Sequence, residues 1–446
     1  MRRGADLAYR GRQVMAISRF LDPVWAQARK QDPLPLTLAI TAAFFLVVLN
    51  RLAIPSKPMF DEIHYLPAAR RLIELSSRLN PEHPLLGKEF IALGMRIWGD
   101  GAFGWRMPNA LLGTVGLFAG MRAVWWASRS AAASVIFGLL LATNFIWFIL
   151  SRIAMLDMAM ASMLALAFWQ WALAAARGRR VHLVLCGLFM GLSLGGKWNG
   201  IPLLVLPGLW FAWARWQEVE GRRSEWLTTD EAGPVVGMTL IEAVVWLGLW
   251  PICVYFATFA PAFFYKVQPL TLDSLIPWQK YMLKLQDSVV KPHTYMSRWW
   301  QWVLNLRPIW FLYQKVDGAQ RGVLMLGNPF TMLAGLPALA LCAWDGVRGN
   351  RVRGGVALFY GAALVFWALN GKPVQFYYHY ELAATFLMVA LALVLAEWWD
   401  AGLRWPAYAA VGISVVLFIG FYPILSAGPL PRANSYADFT WLRSWR

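Results

Sequence analysis

Residues 35–54 read PLTLAITAAFFLVVLNRLAI, and residues 60–65, shortly after, read FDEIHY. At about 1.5 Å per residue the first stretch is long enough as a helix to cross a hydrocarbon layer of about 30 Å. The second sets two adjacent carboxylates where the chain has just left that layer. This pairing, an apolar span followed by ionisable residues in the connection, recurs along the chain. About eleven runs meet the length and apolarity of a spanning helix, near 35–54, 105–126, 131–149, 156–175, 181–195, 199–215, 236–258, 324–343, 355–370, 377–396 and 405–424. The expected fold is an all-α polytopic membrane protein.

Composition agrees. The chain has 446 residues, of which 59% are hydrophobic and 15% charged, whereas a soluble chain carries about 25% charge. That shortfall excludes an ordinary cytosolic enzyme and a disordered scaffold. Lys and Arg number 41 against 24 Asp and Glu, a net charge of +17. The basic residues are scattered among tryptophans and aliphatics and form no single polar face, so the partner they imply is the lipid bilayer and no nucleic acid. Cys186, Cys253 and Cys342 lie inside apolar runs without C-x-x-C spacing, so neither a disulfide framework nor a zinc site is expected.

Charge asymmetry orients the spans. The first thirty-odd residues hold Arg2, Arg3, Arg10, Arg12, Arg19, Arg29 and Lys30 without the apolar core and cleavage site of a secretory signal, so the first span is expected to persist as an anchor. With that segment in the cytoplasm, Arg129, then Arg177, Arg179 and Arg180, then Arg215, Arg222 and Arg223, then Arg348, Arg351 and Arg353, then Arg404 fall in cytoplasmic loops. The short outer loops keep Arg152, Lys197 and Lys372, as the positive-inside rule expects. The expected division is a cytoplasmic segment 1–34, a catalytic N-terminal module 35–258 containing an outer loop 55–104, an outer loop 259–323, a C-terminal four-helix module 324–424 and an outer tail 425–446. Within the first outer loop, Ile63 to Leu79 and Leu85 to Trp98 carry apolar residues at helical spacing, which predicts amphipathic helices lying along the membrane surface, separated by Pro81 and Pro84.

Several side chains on that outer side could carry chemistry. Asp61 and Glu62 would point about 100° apart on a helix, which suits two separate jobs; the plainer reading is a helix N-terminus decorated with acids. His64 follows them. His83 and Lys88 flank a turn in NPEHPLLGK. Arg106 opens the second span, where an unpartnered charge costs roughly 2.5–3.5 kcal/mol on insertion scales, so it should meet a partner or an anionic ligand. Arg152 could pair with Asp157 or contact substrate. Lys197, bracketed by Gly195, Gly196 and Gly200, leans toward phosphate, because glycines admit a ligand close to the backbone. His293, Arg307 and the surrounding tryptophans could anchor the chain at the interface or form an aromatic sugar-binding wall. Glu242 and Glu381 lie within spans and are given no role. No third carboxylate accompanies the Asp61–Glu62 pair in sequence, so no metal and no cofactor is expected.

In order, FDEIHY, NPEHPLLGK, FGWRMPNALLG, SRIAMLD, GLSLGGKWNG, KPHTYMSRWW with LRPIW, LGNPF and YYHYEL resemble the protein O-mannosyltransferases, membrane glycosyltransferases of the C-type fold. The resemblance runs from about residue 59 to residue 395. It implies a polyprenyl-phosphate mannose donor and a Ser or Thr hydroxyl acceptor on an exported protein, at the plasma (inner) membrane, with association with the secretion translocon as a further partner. It also implies Asp61 as general base, Glu62 as an acceptor- or sugar-orienting acid, and Arg106, with Lys197 and Arg152, at the donor phosphate. His64, His83, Lys88, Asp157, His293 and Arg307 occupy further motif positions. Departures are His83-Pro84-Leu85 in place of a His-Pro-Pro run and Asn199 after the Lys-Trp pair. The loop 259–323 is too short for the β-trefoil domain of eukaryotic members, as in the bacterial form.

The chemistry is self-consistent. A phosphate departs from an anomeric carbon as a stable anion, so no second carboxyl group has to protonate it, unlike in glycoside hydrolysis. One base and a cationic seat suffice, and single-step inversion follows. Two rivals are the same fold with a lipid or glycan acceptor and a transporter; the latter should carry ionisable residues and broken helices near mid-membrane, whereas here the charges gather at the outer mouth.

Overall fold

The computed structural model describes residues 32–220, 223–231, 233–288 and 290–446. The basic segment up to residue 31 and Arg222, both used above to orient the chain, lie outside the described residues. The fold is helical and multi-pass. Helix α1 (Leu34–Leu49) leads into the first long loop, which contains α2 (Glu62–Glu74) and α3 (Leu86–Trp98). Then come α4 (Ala102–Ser128), α5 (Ala131–Ala142), α6 (Phe145–Leu150), α7 (Asp157–Arg177), α8 (Arg180–Gly196), α9 (Leu206–Glu218) and α10 (Leu240–Phe264, a span with a π-helical turn at Val245–Leu249). The second long loop holds α11 (Leu275–Asp287), α12 (Trp299–Val303), β1 (Ile309–Val316) and β2 (Ala319–Met325). Helices α13 (Pro329–Val347), α14 (Arg351–Leu369), α15 (Glu381–Asp400) and α16 (Trp405–Leu425) complete the chain.

Among the described residues, seven helices are long and apolar enough to cross a membrane, and α1, α5 and α8 are shorter apolar ones. Two runs that read as single spans are interrupted for local reasons. Near residue 144 the Asn144 side chain accepts from the Ile146 and Trp147 amides at 3.0 and 3.1 Å, an N-cap that starts α6 anew. In 199–215, Pro202 and Pro207 remove backbone donors, and the run divides into a 3₁₀ turn at Trp198–Gly200, a short helix at Ile201–Leu204, and α9.

The hairpin in the second loop was not expected. Asp317 and Gly318 both take positive φ, 49° and 74°, which matches the Asp-Gly turn that joins twisted antiparallel strands. Its register pairs Val316 with Ala319 and Ile309 with Met325. The Asp317 carboxylate reaches back to the Ser56 amide at 2.8 Å, so the hairpin is fastened to the first loop.

The two long loops are zipped together. Backbone amides of Lys266 and Val267 donate to the carbonyls of Leu75 and Ser76 at 2.8 and 3.0 Å, and Arg78 stacks over Trp278 at 3.6 Å. Below them, α4, α7 and α8 pack on one side and α13, α14 and α15 on the other, with α15 against α5 joining the halves. Helix α3 crosses α4 closely: a Cβ at Gly94 would lie 2.3 Å from the Gly104 carbonyl oxygen, so only glycine permits that approach.

Candidate active site

Glu62 and Arg106 form a closed cage. Glu62 accepts from Arg106 Nε at 2.8 Å and Nη2 at 2.9 Å, from the Met59 amide at 2.8 Å and from the Ala154 amide at 2.9 Å. The remaining guanidinium hydrogens go to the carbonyls of Leu52 (3.2 Å), Pro55 (2.7 Å) and Lys57 (3.2 Å). A guanidinium has five N–H donors, and all are engaged; both side chains are fully buried. Asn109, one turn on, donates to the carbonyls of Ile153 and Met155 at 2.6 and 2.7 Å. Three sequence motifs are thereby locked into one knot.

Asp61 enters a different space. It stands at the N-cap of α2 but its side chain makes no capping bond. Phe60 before it takes a left-handed φ of 46°, a conformation costing a non-glycine residue roughly 1–2 kcal/mol. The Phe60 ring is held among Phe311, Phe376 and His293 at centroid distances of 5.0, 5.6 and 5.9 Å. The resulting turn aims Asp61 into a cleft of about 200 Å³ lined by Asp61, His64, Tyr65, Glu82, Lys372 and Tyr378, among others. Tyr65 and Tyr378 stand beside Asp61 in the same cleft lining. Burial pushes the Asp61 carboxyl up to about 6, with Asp157 adding to the rise and Lys197, His64 and Lys372 opposing it. Burial likewise holds the His83 imidazole well below its ordinary value, helped by Lys197, Lys372 and Lys88, so His83 is neutral.

The other predicted residues divide sharply, and several differ from expectation. Arg106, expected at the donor phosphate, has no hydrogen left to give one, and Glu62 has its carboxylate fully used, so both act as scaffold. Arg152 does not pair with Asp157: it donates to the carbonyls of Val48, Asn50 and Arg51, closing the C-terminal end of α1. Lys88 donates to the carbonyls of Asn80 and His83 and ties the turn that presents His83. Lys197 pairs with Asp157 at 2.7 and 2.8 Å, and its ammonium sits 4.8 Å from the Tyr378 ring. The glycines beside it serve packing: a Cβ at Gly195 would meet Thr258 at 2.8 Å, and one at Gly196 the Met160 amide at 2.8 Å. Arg307 reaches the carbonyls of Thr294 (2.8 Å) and Ser444 (3.3 Å), strapping the tail. His293 belongs to the aromatic cluster that holds Phe60, next to Phe376 at 5.2 Å and Tyr295 at 5.8 Å. The tryptophans of the second loop form no wall of the cleft; its aromatic lining is Tyr65, Phe376 and Tyr378. Glu242 pairs with Arg180 at 3.4 Å, and both carboxylate oxygens of Glu381 are buried without a hydrogen-bond partner.

Sequence reasoning did not assign Tyr65, Glu82, Gln286, Lys372, Phe376 or Tyr378 to the site. Lys372 had a signal, being one of the few basic residues in the short outer loops. Tyr65, Glu82 and Tyr378 sat unremarked inside FDEIHY, NPEHPLLGK and YYHYEL, whereas Gln286 and Phe376 had no signal, because they join the others only in the fold.

Asp61 and Lys372, neither in an ion pair among the described residues, share the lining of one cleft, and the fold that carries them is that of the C-type membrane glycosyltransferases. The chain superimposes on the S. cerevisiae protein O-mannosyltransferase Pmt1-Pmt2 complex with a TM-score of 0.78 at 13% identity, covering 92% of each chain. For ArnT from Cupriavidus metallidurans the TM-score is 0.56 at 15% identity, covering 88% of this chain and 76% of the other. In sequence it is 28% identical to the polyprenol-phosphate-mannose–protein mannosyltransferase of Mycobacterium tuberculosis, covering 92% of this chain and 91% of the relative. With the enzyme of the same name from Mycolicibacterium smegmatis it shares 26% identity, over 92% of each. Residues 82–246 match the family described as dolichyl-phosphate-mannose-protein mannosyltransferase, and residues 271–445 the C-terminal four TMM region of protein-O-mannosyltransferase. The chain belongs to the protein O-mannosyltransferase family.

Proposed function

We propose that this protein transfers mannose from polyprenyl-phosphate mannose to Ser or Thr hydroxyls of exported proteins, inverting the anomeric centre. The observation that carries the reading is Asp61: a carboxylate without an ion-pair partner among the described residues, lining the cleft, with its pKa raised by burial to about 6. A base of that strength is ionised at neutral pH and still able to accept a proton. The acceptor oxygen attacks the anomeric carbon, the bond from that carbon to the phosphate oxygen breaks, and the hydroxyl proton passes to Asp61. The polyprenyl phosphate leaves with the bonding electron pair. Tyr65 and Tyr378 line the cleft beside Asp61.

The names of the mycobacterial relatives support the donor and the acceptor class. The arginine asymmetry supports an N-terminus in the cytoplasm and a cleft on the outer side of the plasma membrane. We further propose that the outer loops and both helical modules share the site, and that acceptors arrive as extended chains beside the secretion translocon, since a cleft of about 200 Å³ cannot admit a folded domain. Incubating the purified protein with radiolabelled polyprenyl-phosphate mannose and a Ser/Thr-rich peptide tests the reading: labelled peptide is expected. Label in lipid or glycan alone would replace the acceptor class with the rival one.

A further inference from the structure

We propose that Lys372 is the residue that binds the donor's phosphate, facing Asp61 across the same cleft; this rests on the activity proposed above and adds the side chain that the sequence motifs did not supply. The cations singled out by motif are all engaged elsewhere. Arg106 is saturated by Glu62 and three carbonyls, Arg152 and Lys88 hold backbone carbonyls, and Lys197 is paired with Asp157. Lys372 lies among the residues lining the cleft and has no carboxylate within ion-pairing distance among the described residues.

Its loop is built to present it. The Lys372 amide donates to Asn370 Oδ1 at 2.9 Å, and the buried Gln375 amide group donates to the carbonyls of Trp367 (3.2 Å), Asn370 (3.4 Å) and Lys372 (3.3 Å). The Gln375 carbonyl in turn accepts from the Ser297 amide at 2.8 Å, fixing the loop to the second outer loop. Just before it, α14 exposes Leu358, Val365 and Leu369 at helical spacing, an apolar stripe that ends at Asn370. An isoprenoid lying along that stripe would bring its headgroup to Lys372. A flexible ammonium on a rigid loop suits a phosphate whose oxygens carry increasing charge as the sugar leaves.

The groups facing Lys372 come from every neighbouring element: Lys197 opposes its charge, while Asp61, Asp157 and Asp287 favour it, and Glu82 and the neutral His83 line the same cleft. Burial first, and then Lys197, lower the ammonium to about 8. Deprotonation above that pH should therefore weaken donor binding.

The test is steady-state transfer by the purified full-length protein with polyprenyl-phosphate mannose varied against a fixed peptide. Lys372→Gln is expected to raise the donor KM by about tenfold to a hundredfold, the size of a charge-assisted hydrogen bond, and to leave the peptide KM unchanged. Wild-type donor KM should climb above about pH 8, and Lys372→Arg should retain near wild-type KM while moving that climb beyond pH 10. Polyprenyl phosphate should inhibit the wild type far more strongly than inorganic phosphate; equal inhibition would overturn a lipid headgroup as the ligand. A Lys372→Gln enzyme with wild-type donor KM and an unchanged alkaline limb overturns the assignment while the activity stands. If Lys372→Gln does not fold, an alkaline limb left in place by Lys372→Arg overturns it equally. No transfer by the wild type would overturn the activity itself.

Discussion

Asp61 and Glu62 are neighbours in sequence but enter opposite regions. Glu62 lies in a dry knot where each charge meets its complement, with Arg106, the Met59 amide and the Ala154 amide converging on it. Asp61 lies in a cleft where carboxylate, lysine and tyrosines face one another across open space. Ionisable residues with saturated partners hold the loops in place, and Asp61 and Lys372 instead line the cleft. The two regions depend on each other, since the knot fixes the backbone at Met59 and so sets the turn through Phe60 that aims Asp61.

The largest effect separating the regions is expected from Asp61→Asn. It should lower mannosyl transfer by about 10²- to 10⁴-fold while leaving thermal unfolding in detergent unchanged; undiminished transfer would remove Asp61 as base. Arg106→Leu should do the reverse in kind, destabilising the protein by about 3–5 kcal/mol because the buried Glu62 carboxylate is left unpaired. An Arg106→Leu protein with wild-type unfolding and an elevated donor KM would break the comparison, since Arg106 would then belong to the cleft. The pH profile gives a smaller and directional effect. A base held near pH 6 must be ionised, so kcat/KM should fall about tenfold per pH unit below about 6, and this acid limb should be missing from the residual activity of Asp61→Asn. The smallest effect lies far from both regions: Asn144→Ala removes the cap of α6 and should cost about 1 kcal/mol without moving either KM, as equilibrium unfolding and kinetics on the same variant would reveal.

Much of the candidate site was legible in the sequence because its motifs cluster in the connections between apolar runs. Asp61 in FDEIHY, His83 in its turn and the Arg106 entry to α4 all lie close to the cleft or to the knot beneath it. The role of Arg106 was not legible: an arginine entering a membrane must find an anion, but the choice between Glu62 and a lipid phosphate depends on where residues 52–62 fold. Lys197 stood out through its glycines, and the missing side chains of Gly195 and Gly196 make room for Thr258 and Met160. The hairpin carried a readable Asp317-Gly318 turn, but it lay within a segment treated only as a long loop.

By itself the sequence determined the class of fold and the family, because apolar periodicity and length must answer to the bilayer and because an ordered set of motifs is specific where each alone is not. Tertiary structure alone decided which charges remain free. Whether a cation holds a carbonyl, pairs with a carboxylate or faces an open cleft depends on which segments pack against it, and Lys372 comes to share a cleft with Asp61 only once α14, α15 and the first long loop have packed together.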